Sequence, residues 1–462
     1  MATARSGFSS RLGFVAAAAG SAVGLGNIWK FPYETADNGG GAFLFVYIIC
    51  IFLIGFPVMV GEIAMGRKTG ANPFGAYKQL GGKSWSWVGL LGVICGLMIL
   101  SFYNVVAGWS FGYFLQISFG DLLAQEDHGA FFGTYAADIG DNFLFSLAFM
   151  LLTGFVVLRG IQKGIESASK ILMPMLFAIL IALIIYALTL PGAGEGVAYY
   201  LTPDFSKLNL GVLNSAMGQA FFSLSLGMGA LITYGSYISK SDNITTSATI
   251  VTLADTSVAF LSGLLMLPLV FSAGLETEGG PGLVFTILPG IFQGMGAIAG
   301  RIVGGTFFLL LCVAALTSTI SLLEVPVAYL VDERKWPRRK AVITMAAVIF
   351  LLGLPSMVSF GAVDWLSNLT YGGESGKSFL DLVADTFSEV GLPLGGMLMS
   401  IFIGVRWKTN NLSDEIAIGN PKYKGSWLET AINVMITYVC PVVLALIFVS
   451  NLLQKFAGVS IL

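Results

Sequence analysis

Two short strings in this chain combine residues that could do chemistry with surroundings that should forbid it. GSAVGLGN, residues 20–27, places three glycines and an amide side chain inside an apolar run long enough to cross a bilayer. SLSLGMG, residues 223–229, places two glycines and two serines in a second such run far downstream. A membrane helix that breaks at mid-depth must give its freed N–H and C=O groups a ligand, because hydrocarbon offers them none. Paired breaks in corresponding places of two halves point to the substrate and ion site of a transporter.

The chemistry available at such breaks is of two kinds. A half-helix that starts after a break presents free N–H groups and the positive end of its dipole. The amides around Leu25, Gly26, Ser225 and Leu226 could thus hold a carboxylate with no Arg or Lys in the membrane. The alternative use of Gly24, Gly26, Gly227 and Gly229 is close helix packing. For cations, carbonyls freed at Gly20, Ala22 and Val23 need side-chain oxygens to complete a shell, and Asn27, Ser223 and Asp255 are candidates for one ion. Asp255 lies inside an apolar span, where an ionisable group is expensive and is a functional hypothesis by default. Thr317 and Ser318, with a carbonyl at Ala314, could serve a second ion, or could simply bond back to their own helix. Glu62 ends a span and is placed to satisfy amides of the broken helices; Glu324, two residues before Pro326, could meet groups that the proline leaves open.

These residues must be held by membrane helices. The chain of 462 residues is 56% hydrophobic and 11% charged, with mean hydropathy +0.83, far from the roughly 25% charged of soluble domains. Apolar stretches near the length that spans a bilayer fall at 10–34, 41–66, 87–117, 142–158, 165–189, 209–239, 244–272, 294–330, 338–354, 379–405 and 427–454, the first and sixth being broken. The fold expected is an all-α integral membrane protein with eleven transmembrane helices in one domain. Two inverted five-helix repeats, about 10–190 and 209–406, precede a peripheral eleventh helix, about 427–454.

With the N-terminus cytoplasmic, 19 of the 24 basic residues fall inside, leaving Lys30, Lys207, Arg301, Lys377 and Lys455 outside. The C-terminus is then outside, in a cell (inner) membrane. MATARSGFSS lacks the apolar core of a signal peptide, so the first span should persist. A net charge of −2 implies no nucleic-acid partner. Cys50, Cys95, Cys312 and Cys440 sit in spans without metal-type spacing and read as buried thiols. His128, in an acidic outer loop, reads as a surface residue. The stretch 273–293 is too apolar for a free loop and reads as a lid dipping over an outer vestibule.

The strings RLGFVAAAAGSAVGLGNIWKFPY, NGGGAF, RGIQKGIESASKILMP, GQAFFSLSLGMGALITYGSYISK and ALTSTISLLEVP together resemble the neurotransmitter:sodium symporter family, in its bacterial eleven-span amino-acid branch. The rule about paired breaks was drawn partly from this family, so agreement with it is resemblance, not a separate prediction. The resemblance implies two sodium ions. The first would use the Ala22 carbonyl and the side chains of Asn27, Ser223 and Asp255 with the substrate carboxylate; the second would use carbonyls of Gly20, Val23 and Ala314 with the hydroxyls of Thr317 and Ser318. Chloride-dependent animal relatives commonly have Asn at the position of Asp255, so no chloride is expected here.

The same resemblance implies a substrate carboxylate on the amides near Leu25 and Gly26 and on the Tyr103 hydroxyl, with Phe222 as an aromatic cover. Ile99, Phe222, Met228, Ser318 and Leu322 would line the side-chain pocket, with Ser21 and Ser225 near the amino group. Gly24 stands where monoamine carriers have an acid, which favours a substrate bringing its own carboxylate. The apolar pocket suits a neutral, hydrophobic amino acid and disfavours a charged one. Carried-over gates are Arg5, Ser236, Tyr237 and Asp332 inside, and Lys30 with Asp381 or Asp385 outside. Gly164 and Pro174 match a spacing associated with unwinding of the fifth span, or mark a simple proline kink. The reading is a sodium-coupled importer working by alternating access, not an enzyme. Its rivals are a proton-coupled carrier of the same architecture and a transport-dead sensor.

Overall fold

Polar residues at the water boundary start the helices. In the computed structural model, which describes residues 7–274 and 283–459, Ser10, Asn72, Asp127, Asp138, Asn209, Asn243 and Ser426 each accept a bond from a backbone N–H in the following first turn. Between such caps run Gly41–Thr69, Lys83–Phe119, Ile139–Leu158, Ile161–Ala187, Ile244–Ser272, Ala297–Glu333, Arg338–Met357, Phe379–Trp407 and Trp427–Ala457, each long and apolar enough to cross a membrane. Arg11–Ala22 and Gly26–Asp37 form one further span, bent by 48°. The sixth expected span appears as two short helices, Leu210–Ser223 and Ala230–Gly235.

Lys83–Phe119 and Ala297–Glu333 have 37 residues each. At about 1.5 Å per residue they reach roughly 55 Å and pack along one another. The broken first span lies against Ala297–Glu333, Ile244–Ser272 and Ile161–Ala187. The break regions are therefore surrounded by protein, the only setting in which non-helical backbone is tolerated at membrane depth.

Both breaks have local causes. Val23 turns extended (φ −76°, ψ 110°), and helix resumes at Gly26 through a wide turn. After Ser223 the backbone takes positive φ at Ser225 (55°), Gly227 (83°) and Gly229 (74°), which no helix can contain. The fifth span begins in a similar wide turn, Ile161–Glu166, and then runs helical through Pro174 to Ala187, so this conformation has no unwinding between Gly164 and Pro174.

Three expectations are corrected or refined. The all-α architecture carries one small addition: Leu369–Tyr371 and Glu374–Lys377 pair as an antiparallel hairpin between the ninth and tenth spans. His128 is buried, and its Nε2 lies 3.1 Å from Gln293 Oε1, because the outer-loop helix His128–Ala137 packs under the lid. The lid is helical over Leu288–Gly294, with Phe285 driven among Trp29, Trp109, Tyr113 and Phe132. Gly279 to Pro281 lie outside the described residues.

Candidate substrate and cation site between two broken helices

The spare groups at the breaks are met partly by other helices and partly within their own span. Leu25 N–H donates to the Tyr103 hydroxyl on the third span (2.8 Å), and Gly24 N–H to Asn27 Oδ1 (3.0 Å). Gln219 Nε2 donates to the Gly26 carbonyl (2.7 Å), and the Ser225 hydroxyl to the Ser21 carbonyl (2.8 Å), so the two breaks hold each other. Gly227 N–H donates to Glu62 Oε1 (2.8 Å), the part expected of that carboxylate. Ser225 keeps its αL backbone because its hydroxyl bridges the breaks.

Between the breaks is a buried cavity lined by Ser21, Ala22, Gly24, Gly26, Ile99, Tyr103, Phe222, Ser225, Met228, Ser318, Leu322 and Leu392. All the expected substrate positions line it except Leu25, whose amide is on Tyr103, and Ser223, which turns to Asp255. A Cβ on Gly24 would lie 2.3 Å from Ser318 Oγ and 2.7 Å from Tyr103 Oη, so no side chain fits there. The cavity is about 20 Å³ in this closed conformation, roughly one water. A larger guest must displace the flexible Met228 or the Phe222 ring.

Oxygens gather on either side of the first break. Asp255 is fully buried; its Oδ1 accepts from Asn27 Nδ2 and Ser223 Oγ, both at 2.8 Å, and the Tyr47 hydroxyl lies 3.5 Å from Oδ2 and 3.3 Å from Ser223 Oγ. Among the described residues no Lys, Arg or His pairs with Asp255, so an inorganic cation is the natural counter-charge for this carboxylate. On the other side Thr317 Oγ1 lies 2.9 Å from the Ala314 carbonyl and 3.2 Å from that of Val23, and Ser318 Oγ 3.4 Å from Val23. Gly20 packs on Thr317, where an added Cβ would meet the threonine Cβ at 3.2 Å. Both oxygen sets thus have the hard donors that an alkali cation takes.

Above the cavity, Phe222 lies under Lys30, whose Nζ is 5.1 Å from the ring centroid and 2.5 Å from Glu389 Oε1. This corrects the expected outer pair. Asp381 is engaged in capping its own helix with Ser378, and Asp385 binds Lys455 (3.0 Å), Lys377 (3.7 Å) and the Tyr371 hydroxyl (3.0 Å). Over this floor opens a vestibule of about 520 Å³, walled by Trp29, Trp109, Phe132, Phe285 and Phe360.

At the opposite end, where the inner gate is expected, Arg5 lies outside the described residues. Ser236 Oγ donates to the Thr233 carbonyl (2.6 Å), the Tyr237 hydroxyl to Glu324 Oε1 (2.7 Å), and Asp332 Oδ2 accepts from Asn72 N–H (3.0 Å). Glu324 also receives Arg338 (2.6 Å), which supplies the partner that the sequence could not assign. Ser9 closes this side on Glu166 through its N–H (2.8 Å) and hydroxyl (2.5 Å).

The pattern of the Sodium:neurotransmitter symporter family matches residues 5–138 and 137–459. The chain belongs to that family. An uncharacterized sodium-dependent transporter, YhdH of Bacillus subtilis (strain 168), is 38% identical over 96% of this chain and 97% of its own. One from Haemophilus influenzae (strain ATCC 51907 / DSM 11121 / KW20 / Rd), also uncharacterized, is 34% identical over 97% and 98%. The crystal structure of MhsT in complex with L-phenylalanine is similar at TM-score 0.88 and 44% identity, over 97% of this chain and 100% of that one. This symporter chain is accordingly a multi-pass membrane transporter and not an enzyme.

Sequence reasoning missed four residues around the symporter's cavity. Leu392 and Glu389 come from the tenth span, Tyr47 from the second and Gln219 from the sixth. Leu392 and Tyr47 carry no signal, each being one apolar or aromatic residue in an apolar run. Glu389 and Gln219 did carry one: both are polar side chains inside predicted spans, the mark by which Asp255 was found.

Proposed function

We propose that this protein imports a neutral, hydrophobic amino acid with sodium, independently of chloride, by alternating access across the cell (inner) membrane, with its N-terminus cytoplasmic and its C-terminus outside. The observation that carries the reading is the cavity between the breaks. Its polar wall is Ser21, Gly26, Tyr103, Ser225 and Ser318 and its apolar wall Ile99, Phe222, Met228, Leu322 and Leu392, a split that matches a zwitterion with an apolar side chain. The kinship with MhsT, solved with L-phenylalanine, supports the same class of cargo.

One sodium would be held by Asn27, Ser223, Asp255 and the Ala22 carbonyl, and a second by Thr317, Ser318 and the carbonyls of Gly20, Val23 and Ala314. Bound there, the ions would supply the positive charge that draws in the substrate carboxylate. The carboxylate of Asp255 is this protein's own fixed anion beside the first sodium, which leaves chloride no task. Closure would bring Phe222 and the Lys30–Glu389 pair over the cargo, and loss of sodium to the interior would release Thr317 and the inner contacts. The chain would act as one membrane domain.

The test is uptake of a labelled amino-acid panel into proteoliposomes with sodium, chloride and pH varied separately. Sodium-driven uptake of phenylalanine or leucine that ignores chloride supports the reading. Uptake that follows pH and persists without sodium identifies the proton-coupled rival, and binding without flux identifies the sensor. Loss of sodium dependence in Thr317→Ala ties the flux to the named ligands.

A further inference from the structure

The eleventh helix, expected to be peripheral, reaches the vestibule with three polar side chains at its outer end. Asn451 Nδ2 donates to the Glu389 carbonyl (2.7 Å), and Asn451 Oδ1 accepts from Asn214 on the sixth span (2.9 Å). Gln454 and Lys455 line the same vestibule as Lys30, Glu34, Asp381, Asp385 and Glu389. Lys455, one turn beyond Asn451, binds Asp385 Oδ1 at 3.0 Å and is within electrostatic reach of both Glu389 and Glu34. Asp385 does not depend on it, since Lys377 and Tyr371 from the outer hairpin attend its other oxygen. The hairpin in turn grips the helix end, with Tyr371 stacked on Phe456 at 5.7 Å.

Of the four acids that line the vestibule, Asp385 and Glu389 are one turn apart and pair with its two lining cations, Lys455 and Lys30, which come from different spans. Opening the path to the cavity must separate Lys30 on the first span from Glu389 on the tenth. Without a replacement, that leaves a carboxylate of 22% exposure unpaired, and a partly buried charge losing its partner is costly. We propose that Lys455 is the reserve partner of the gate: it stays on Asp385 while Lys30 holds Glu389, and swings to Glu389 when Lys30 withdraws. Asp385, still held by Lys377 and Tyr371, can release it. The inference rests on the reading of Lys30–Glu389 as the outer gate, and it makes Lys455 a positioning residue whose effect is on opening.

The two members of this ion pair then have opposite effects, which a merely structural pair would not. The readout is the alkylation rate of the full-length protein carrying Ser215→Cys in the vestibule, in proteoliposomes with sodium; all four native cysteines are buried. Lys455→Gln should slow labelling about three- to fivefold, the range of one partly exposed ion pair, because the open state loses its counter-ion. Asp385→Asn should speed labelling by a similar factor, because it frees Lys455 for Glu389, and the double variant should be slow again. Lys455→Arg should keep the parent rate, which separates charge from misfolding.

Equal-signed effects of Lys455→Gln and Asp385→Asn, or an unchanged rate in Lys455→Gln, overturn the proposal. If labelling of the parent does not fall when phenylalanine is added, the gate reading itself fails. If it does fall while Lys455→Gln is silent, only the role of Lys455 fails.

Discussion

Replacing Asp255 by Asn tests the cation reading most directly, because it removes one charge and almost no volume from a fully buried position. Asn27 Nδ2 and Ser223 Oγ both approach Asp255 Oδ1 at 2.8 Å, so a cation sharing these ligands would sit a few ångströms from the carboxylate. At about 4 Å and an effective dielectric of about 20, that attraction is about 4 kcal/mol. An amide oxygen keeps an ion–dipole part of it; if about half survives, about 2 kcal/mol is lost, or roughly 30-fold in sodium affinity. The assay is the sodium concentration for half-maximal phenylalanine uptake in proteoliposomes, at constant ionic strength with choline as substitute. The half-saturating sodium should rise by about that factor, and added chloride should recover part of the loss in the variant while leaving the parent unaffected. An unchanged sodium requirement in Asp255→Asn, or a parent that already needs chloride, refutes the assignment of this carboxylate.

Three further outcomes follow from named contacts. Tyr103→Phe removes the hydroxyl proposed to bind the substrate carboxylate beside Leu25 N–H; a hydrogen bond to a charged group contributes about 1.5–3 kcal/mol, so substrate binding should weaken about 10- to 100-fold, measured by equilibrium binding of labelled phenylalanine. Glu389→Gln breaks the 2.5 Å pair with Lys30 and should depress uptake far more than Asp381→Asn, whose side chain only caps its helix; equal losses would return the gate to Asp381. Burial of Glu415 in the loop helix Thr409–Gly419 pushes its pKa up, but bonds to Lys240 and Arg67 outweigh this and hold it below the usual carboxylate range. A depressed value stabilises the fold above the unfolded pKa of about 4.3, and the gain is lost as pH falls through the folded value. Thermal midpoints should therefore drop on acidification, and Glu415→Gln should lower the midpoint at pH 7 and flatten that acid limb.

Much of the site was legible because polar or flexible residues stand out against hydrocarbon. Gly24, Gly26, Asn27 and Asp255 are conspicuous in apolar runs, and the structure gathers them. What failed was register over distance. Lys30 finds its acid 359 residues on, and the tenth span makes a wide turn over Asp385–Val390, so the acid on the gate face is Glu389, while Asp385 turns to the hairpin and the eleventh helix. The hairpin itself was readable: in TYGGES the adjacent Gly372 and Gly373 both take positive φ (62° and 79°), the signature of a tight two-residue turn. His128 was misread because its partner, Gln293, belongs to a lid that no local pattern ties to the outer loop.

The bonds across the breaks divide the molecule in a way that bears on coupling. The first and sixth spans are joined to each other by Gln219 to Gly26, Ser225 to Ser21, and Asn27 to Ser223. Their ties to the third and eighth spans through proposed ligand groups are Leu25 to Tyr103, and Thr317 and Ser318 to Val23, while Ser21 to Ser321 (2.8 Å) is a further bond to the eighth. A rocking motion can keep the first set intact and must strain the second, and the second set consists of the groups proposed to meet the substrate carboxylate and the second sodium. Each buried donor stranded by that motion costs about 1–3 kcal/mol, so a ligand that takes over the freed donor or acceptor offsets the cost only when both cargo and ion are present. On this account coupling needs no messenger between the sites, because the same few hydrogen bonds are the ligand contacts and the hinge.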